Sequence, residues 1–456
     1  MKARNRILLA AIKNLIAKGD IQKATLILNR LHSVDAANVI EHLSDEEKQQ
    51  IFTVWSPESS AEALLEMDEH EQVDIAEHLD PPLIADILEE MPADDATDLI
   101  GDLDPEIAEN ILSLMKKREA AQIRQLLAYG KNTAGGLMTP EFVSLMKSKT
   151  AQQAIEKLRQ VAAETETIYT LFIVNDEKQL VGALSLKDLI IAPAKNLLKE
   201  IMDPDVIYIE ASGDQEEAAQ LMSKYDLLVL PVVDGEQHLL GIITIDDVVD
   251  VIEDEATEDM YRLSGASEFE SDVAETSLAV ATRSRIPWIV LTLIGEVLFV
   301  GAIAARFSFL IKAVPALAVY WAAMTSVGGN TSFQTATVAV RGLATGQVDP
   351  HTIRRRISRE FLLGVSISLI TSIVLFILAR ILSSELMPIA IIVAVANVAI
   401  VVSAALIGAL VPIIFHRLGI DPAVSSNPLL ALVMDGLSLL IYFSIAFTVL
   451  RAFGTI

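Results

Sequence analysis

Residues 427–450 read NPLLALVMDGLSLLIYFSIAFTVL, an apolar run with a single charged side chain, Asp435, near its middle. A helix of about 20 apolar residues spans the roughly 30 Å of hydrocarbon in a bilayer. An ionised Asp at the centre of such a helix costs about 2.5–3.5 kcal/mol by insertion measurements, and a residue that costs this much usually faces a wet cavity, a partner or an ion. This stretch decides the class of the protein, and the rest of the chain decides among those three roles.

Four further stretches are long enough to span: about 286–306, 313–340, 361–382 and 387–415, which with 428–450 makes five. Soluble core helices rarely hold so many apolar residues in succession. Five spans put the termini on opposite sides. Arg283, Arg285, Arg341, Arg354, Arg355, Arg356, Arg359 and Arg417 collect on one side, against Arg306, Lys312, Arg380 and Arg451 on the other. Basic residues mark the cytoplasmic side, so the N-terminal region is expected in the cytoplasm and the C-terminus outside. The polarity of the chain is just as uneven. Residues 277–456 hold 12 Lys and Arg against 6 Asp and Glu, a net +6, so residues 1–276 carry −32 of the formal −26. An acidic soluble half repels nucleic acid and anionic headgroups and attracts cations. Cysteine is absent, which excludes disulfides and thiolate metal sites. The basic start, MKARNRILLAAIKNLIAKGD, has Lys13 and Lys18 inside its apolar pattern and reads as an amphipathic helix rather than a signal peptide.

Two repeat systems organise the acidic half. Leu31, Leu43, Trp55, Met67, Leu79, Met91, Leu103 and Met115 recur at 12-residue steps, most followed at once by Ser, Asp or Pro, the residues that cap and open a following helix. Such short units need to stack, as in an α-solenoid. The second repeat begins at MTPEFVSL (from Met138) and MDPDVIYI (from Met202). Its copies end in LVGALSLKDLI (180–190) and LLGIITIDDVV (239–249), so that Gly182 and Gly241, Ser185 and Thr244, and Asp188 and Asp247 are each 59 residues apart. Each unit reads turn, strand, helix, strand, strand, helix, with 171–176 and 227–235 as buried strands. This resembles a tandem CBS pair, a βαββα module that often dimerises. In that family the Gly-x-x-[Ser/Thr]-x-x-Asp pattern, here with Ser185 and Asp188 and with Thr244 and Asp247, can hold the ribose and phosphate of ATP or AMP.

The pair runs into DDVVDVIEDEATEDMYRLSG (246–265), a helical run crowded with carboxylates. It reads either as a solvated acidic linker or as a helix whose like charges repel until divalent cations neutralise them. All-oxygen ligands without His or Cys favour Mg²⁺ or Ca²⁺ over Zn²⁺ or Cu²⁺.

Taken together, AGGLMTPEFV (134–143), DEATEDMYRLSG (254–265), GGNTSFQTATVAVRGLA (328–344) and DPAVSSNPLLALVMDGLSLLIYF (421–443), in this order, resemble the MgtE family of magnesium channels over essentially the whole chain. The resemblance implies a multidomain α-helical membrane protein. Its parts are an acidic helical-repeat N-domain (1–130), tandem CBS domains (131–253, divided at 195/196), a connecting "plug" helix (254–280) and a bundle of five transmembrane helices (281–456). It implies a homodimer in the plasma membrane whose pore lies on the two-fold axis between the second and fifth membrane helices, with Asp435 facing a hydrated Mg²⁺ and Asn427 and Ala431 lining the pore before it. Those three lie at i, i+4 and i+8 on one helical stripe, and Gly436 leaves room for water. Mg²⁺ keeps several of its waters, so such a filter needs few direct ligands. In the second span, Asn330 and Gln334 are polar at membrane depth and four residues apart. Gly328 and Gly329 admit two readings, a weakened helix that exposes carbonyls or close helix packing. The Thr331-Ser332-Phe333 that precedes Gln334 departs from the commoner family pattern. The resemblance also places regulatory Mg²⁺ ions among Asp95, Gly136, Asp226, Asp247, Asp250, Glu255, Glu258 and Asp259, closing the pore when cytosolic Mg²⁺ is high, with ATP as a possible regulatory ligand.

Other classes fit less well. A Na⁺/Mg²⁺-exchanging secondary transporter of the same fold is the alternative. A membrane-anchored nucleotide sensor does not need five spans with a central carboxylate. For an enzyme, the chain lacks a phosphate loop, a nucleophile elbow and a His-Glu-x-x-His site.

Overall fold

The structure, a computed structural model, describes residues 3–162, 165–265, 278–345, 353–382, 387–424 and 427–455. The chain divides into two compact units, residues 1–251 and 252–456.

The first unit opens with the helix Ala3–Ala17, which buries Ile12 and Ile16, and continues as short helices to Lys117–Leu126. The 12-residue repeat is the core of this region: Leu43, Trp55, Met67, Leu79, Met91, Leu103 and Met115 are buried, and Leu31 packs against them. Trp55, Leu79, Leu103 and Met115 each close a helix. The next residue opens the following one. Ser56, Asp80 and Asp104 stand at the cap with Pro57, Pro81 and Pro105 in the first turn, where a missing N–H costs nothing. Ser44 and Glu47 form a reciprocal capping box. After Leu31 the cap is His32, and Ser33 is already helical. Helices meet two places along the chain: Pro57–Leu64 packs on Pro81–Leu88, which packs on Pro105–Leu114, while Ala93–Asp102 packs on Glu69–His78 and Lys117–Leu126.

The second repeat forms two three-stranded sheets, β1 (Ser144–Met146), β2 (Thr170–Val174), β3 (Leu180–Ser185) and β4 (Ile209–Glu210), β5 (Val229–Val233), β6 (Leu239–Thr244). In each, the first strand runs parallel to the second and the second antiparallel to the third. The parallel pairs need a crossover, supplied by Ala151–Val161 and Gln215–Tyr225. The halves then lock reciprocally. Thr139 pairs with Ile242, and Asp203 with Ala183. A Cβ on Gly241 would meet Cγ of Met138 at 2.8 Å, and one on Gly182 would meet Cγ of Met202 at 2.8 Å. The paired glycines and the paired methionines of the repeat are therefore one device used twice.

The helix Ile245–Ser264 begins in the first unit and ends in the second. It starts inside the second CBS repeat, well before residue 254, and residues 266–277 of the expected plug segment lie outside the described residues.

In the second unit, Met387–Arg417 is central, packing on Leu317–Ala344, Ile353–Leu382 and Asn427–Ala452. Among the described residues, four segments are long and apolar enough to cross a membrane: Ala281–Arg306, Ile353–Leu382, Met387–Arg417 and Pro428–Ala452. The expected second span, 313–340, is a helix over Leu317–Ala344. At 1.5 Å per residue it is about 42 Å long, but its Asn, Gln, Thr and Ser content leaves it outside that apolar set. The outer face of Ile353–Leu382 is greasy, with Leu362, Ile370, Ile373 and Ile381 exposed, as a lipid-facing helix requires. On its inner side Asn397 donates to Thr371 (2.7 Å) and Ser372 (2.9 Å), a buried polar knot between helices.

Candidate functional site

Asp435 sits half-buried one-third of the way along Asn427–Ala452. Among the described residues its carboxyl group meets no Arg. Instead it shares a hydrogen bond with Glu296 of the first membrane segment, a residue the sequence reading passed over. Ala431, one turn earlier, is also half-buried, and Asn427 opens the helix. The neighbouring helix Leu317–Ala344 contacts this one through Gly328. A Cβ there would run into Ser438 Oγ and stand 3.3 Å from Met434 Cε. A Cβ on Gly329 would meet nothing within 4 Å. One glycine is a packing glycine and the other faces open space. The helix continues unbroken through both, and Ser332 Oγ donates to the Gly329 carbonyl at 2.9 Å. Asn330 and Gln334 lie together on the exposed face of this helix, in line with Ser326 and Thr337. Polar side chains turned outward from a membrane bundle need water or a partner.

A second constellation lies within the first unit. The helix Ala93–Asp102 brings Asp94, Asp95 and Asp98 towards Asp246 and Asp247 at the start of Ile245–Ser264, with Glu166 beside them. Asp94 is buried, its Oδ1 has no hydrogen-bond partner, and burial followed by the Asp95 and Asp247 charges pushes its carboxyl well above the ordinary range. Burial and then the charges of Asp247, Asp98 and Glu166 push Asp95 up to about 7. Asp247 is raised by burial, against the opposing hydrogen bonds it accepts from Thr244. Glu141, which follows the Gly136 motif, accepts the backbone N–H of Ala93 and so caps that helix from another element. The sequence alone reads Asp94, with Asp95 and Asp98, as a solvated acidic face and passes over Glu141, because the pairing is between segments distant in the chain; Asp94 is instead buried. Of the other expected cation ligands, Gly136 lies in the turn after Thr133, which caps its N–H (3.2 Å). Asp226 stands exposed at the left-handed end of Gln215–Tyr225, and Asp250 lies on the exposed side of the connecting helix. Among the described residues no three Asp, Glu or His side chains converge closely enough to hold a metal ion. The donors are all oxygen, as Mg²⁺ prefers, but they are gathered rather than closed on an ion.

Comparison with known proteins gives this arrangement its context. Residues 31–132 match the MgtE intracellular N domain, 134–195 and 198–254 the CBS domain, and 321–445 the MgtE divalent cation transporter model. The chain is 36% identical over 449 residues to the magnesium transporter MgtE of Thermus thermophilus, covering 98% of this chain and 99% of that one. It is 36% identical over 335 residues to that of Enterococcus faecalis, covering 74% of this chain and 73% of that one. The chain belongs to the MgtE family. Among solved structures it is similar to the soluble part of a magnesium transporter (34% identity, TM-score 0.52, covering 55% of this chain and 99% of that one). It is also similar to the cytosolic domain of the Mg²⁺ channel MgtE in complex with ATP (35% identity, TM-score 0.51, 53% and 99%).

Two further features of this MgtE-family chain follow from the geometry. The end of the connecting helix is docked within the second unit. Arg262 pairs with Glu258 and with Asp421, and Leu263 packs with Val340 and Ala423. Gly265, at φ +73°, stops the helix beside Pro428 (2.9 Å from an added Cβ), at the start of the Asp435 helix. Glu255, Glu258 and Asp259 are half-buried here. Burial, then the charges of Asp421 and Glu255, push Asp259 up to about 6 against the pull of Arg341. The two candidate nucleotide motifs are both satisfied internally: Ser185 Oγ donates to Asp188 (2.6 Å) and Thr244 Oγ1 to Asp247 (2.5 Å). The first borders an open cleft of about 550 Å³ lined by Thr170, Ser185, Asp188, Met202 and Asp203. The second is turned towards the Asp95 cluster, so Asp247 is placed with carboxylates.

Proposed function

We propose that the protein is a Mg²⁺ channel that admits Mg²⁺ across the cell membrane and is closed by cytosolic Mg²⁺. The observation that carries this is Asp435, a carboxyl group on a membrane helix of an MgtE-family chain whose partner is another acid rather than an Arg. A carboxylate held without a basic partner at membrane depth attracts cations and needs one nearby. In this reading the pore lies on the two-fold axis of a homodimer. It is lined by Asp435, Ala431 and Asn427 of the fifth membrane helix and by Asn330 and Gln334 on the outward face of Leu317–Ala344, the second of the five crossings. The soluble unit, a helical solenoid (1–130) with a CBS pair (131–253), lies in the cytoplasm and the C-terminus lies outside.

Gating follows from the acidic clusters. At high cytosolic Mg²⁺, ions held by Asp95, Gly136, Asp226, Asp247, Asp250, Glu255, Glu258 and Asp259 offset the mutual repulsion and hold the connecting helix against the pore helices. At low Mg²⁺ the repulsion releases it. Such a two-state element responds to a ligand only through its differential affinity, and its coupling is reciprocal. The raised Asp94 and Asp95 carboxyls support this reading, because groups that resist ionising alone are those a divalent cation stabilises most. ATP occupies the Ser185–Asp188 cleft as a regulatory ligand, supported by the ATP complex of a 35% identical cytosolic domain.

The test is Mg²⁺ flux into liposomes holding the purified protein, wild type beside Asp435→Ala. Flux that the substitution abolishes is expected. Equal flux in both proteins moves the pathway elsewhere, and flux that requires a Na⁺ gradient identifies an exchanger.

A further inference from the structure

The first membrane segment changes helix type at one place. Leu278–Gly295 is α-helical, Glu296–Val300 is a single π-helical turn, and Gly301–Arg306 is α-helical again. Such one-turn π segments inside α-helices are rare and occur often at functional sites. This one begins on the one acidic residue of the segment. The widened turn lies where the segment crosses Asn427–Ala452. A Cβ on Gly295 would meet Leu432 Cδ1 at 2.7 Å, and one on Gly436 would meet Phe299 Cδ1 at 2.6 Å. Both helices therefore use glycine to come close at the level of Asp435, and there the Glu296 carboxyl group reaches the Asp435 carboxyl group.

A Glu at this depth is as costly as the Asp. Among the described residues, the partner named beside Asp435 at the crossing is Glu296 and not a cationic side chain. Two carboxyl groups brought this close share a proton between them or hold something positive beside them. The geometry points to Glu296 as a second ion-facing carboxylate of the pathway, a residue that sets the affinity and preference of the Asp435 site for divalent cations. This assignment rests on the pore reading above. The π turn aims the side chain, and the glycine crossing fixes its distance from Asp435.

The test uses the full-length protein in liposomes: wild type, Glu296→Gln, Glu296→Asp and Asp435→Ala, with initial Mg²⁺ flux measured against Mg²⁺ concentration and in competition with Mn²⁺ and Ca²⁺. Gln keeps the length of Glu and still donates a hydrogen bond to Asp435, so a packing role predicts wild-type behaviour in Glu296→Gln. An ion-facing charge predicts a rise in half-saturating Mg²⁺ of about tenfold or more, weaker discrimination against the competitors, and recovery of most of the affinity in Glu296→Asp. Wild-type half-saturation and preference in Glu296→Gln, with Asp435→Ala inactive, would overturn the assignment and leave the pore reading standing. Wild-type flux in Asp435→Ala overturns both. Should Glu296→Gln not yield folded protein, Glu296→Asn replaces it as the variant that removes the charge. A raised half-saturation in Glu296→Asn that Glu296→Asp largely recovers supports the assignment, and equality of Glu296→Asn with wild type refutes it.

Discussion

Asp435 and Asp95 represent two kinds of carboxylate, and the sequence reveals them unequally. Asp435 is legible because a lone charge in an apolar run has few innocent explanations. Glu296 stands in an equally apolar run, yet its partnership with Asp435 crosses two helices far apart in the chain and depends on a π turn that no local pattern announces. Asp95 was visible as one of several acids on a helix. That it titrates near 7, and that Asp94 beside it is buried with an unpartnered oxygen, depends on the docking of Ala93–Asp102 against the start of the connecting helix. This docking has a consequence for stability. A carboxyl raised in the folded state holds its proton there while the unfolded chain has lost it, so the folded state gains from acid and loses that gain as pH climbs towards the folded value. Without divalent cations, the unfolding temperature should fall between about pH 5 and pH 7.5. Millimolar Mg²⁺ at the upper pH should restore it, because a ligand that binds only the folded state stabilises it. Asp95→Asn should flatten the pH slope and shrink the Mg²⁺ effect. Scanning calorimetry across pH checks this, and an unchanged slope in Asp95→Asn would remove Asp95 from the acidic cluster.

Among the elements, the repeats were the most legible feature, because each period is a physical requirement. A 12-residue step places one buried residue at each helix end and one cap at the next start, and the pairs 59 residues apart place equivalent glycines under equivalent methionines. The helix Leu317–Ala344 was read less well. Gly-Gly-Asn left open a weakened helix or close helix packing; the helix is continuous, with Gly328 packed against Ser438 and Met434 and Gly329 open. The two glycines should therefore respond oppositely. Gly328→Val overfills a packed crossing and should cost about 1–3 kcal/mol, read as a lower melting temperature in detergent and loss of Mg²⁺ flux. Gly329→Ala meets no neighbour and replaces a poor helix former with the best one, a gain of up to about 1 kcal/mol. It should leave the melting temperature level or raised, and any change in its flux would then come from the open face itself. Equal destabilisation by both substitutions would show that the crossing is not where the helices meet.

For the whole molecule, the decisive question is how many times the chain crosses the bilayer, because that number fixes where the charge lies. Among the described residues four segments qualify on length and apolarity alone, an even number that would put residues 1–251 and the C-terminus on one side. Counting Leu317–Ala344 makes five and separates them. Physics favours five. Ser326, Asn330, Gln334 and Thr337 lie on one exposed line of this helix, while Met324, Ala336, Ala339 and Val340, with Ser332 and Thr335 among them, are buried on its other faces. An exposed polar stripe on a helix packed into the bundle suits the wall of a water-filled pathway better than lipid. The basic residues agree, since the five-span arrangement collects Arg341, Arg354, Arg355, Arg356, Arg359 and Arg417 on the side of the acidic unit. The absence of cysteine makes the test direct. Ser148→Cys, on an exposed turn of the soluble unit, and Thr455→Cys, at the exposed C-terminal end, each introduce one thiol into an otherwise unreactive chain. With an impermeant maleimide on intact cells, Thr455→Cys should label and Ser148→Cys should label only after the membrane is opened. Labelling of both from the same side would mean an even number of crossings. Leu317–Ala344 would then be a helix laid against the bundle, and Asn330 and Gln334 would lose their place in the pore while Asp435 kept its own.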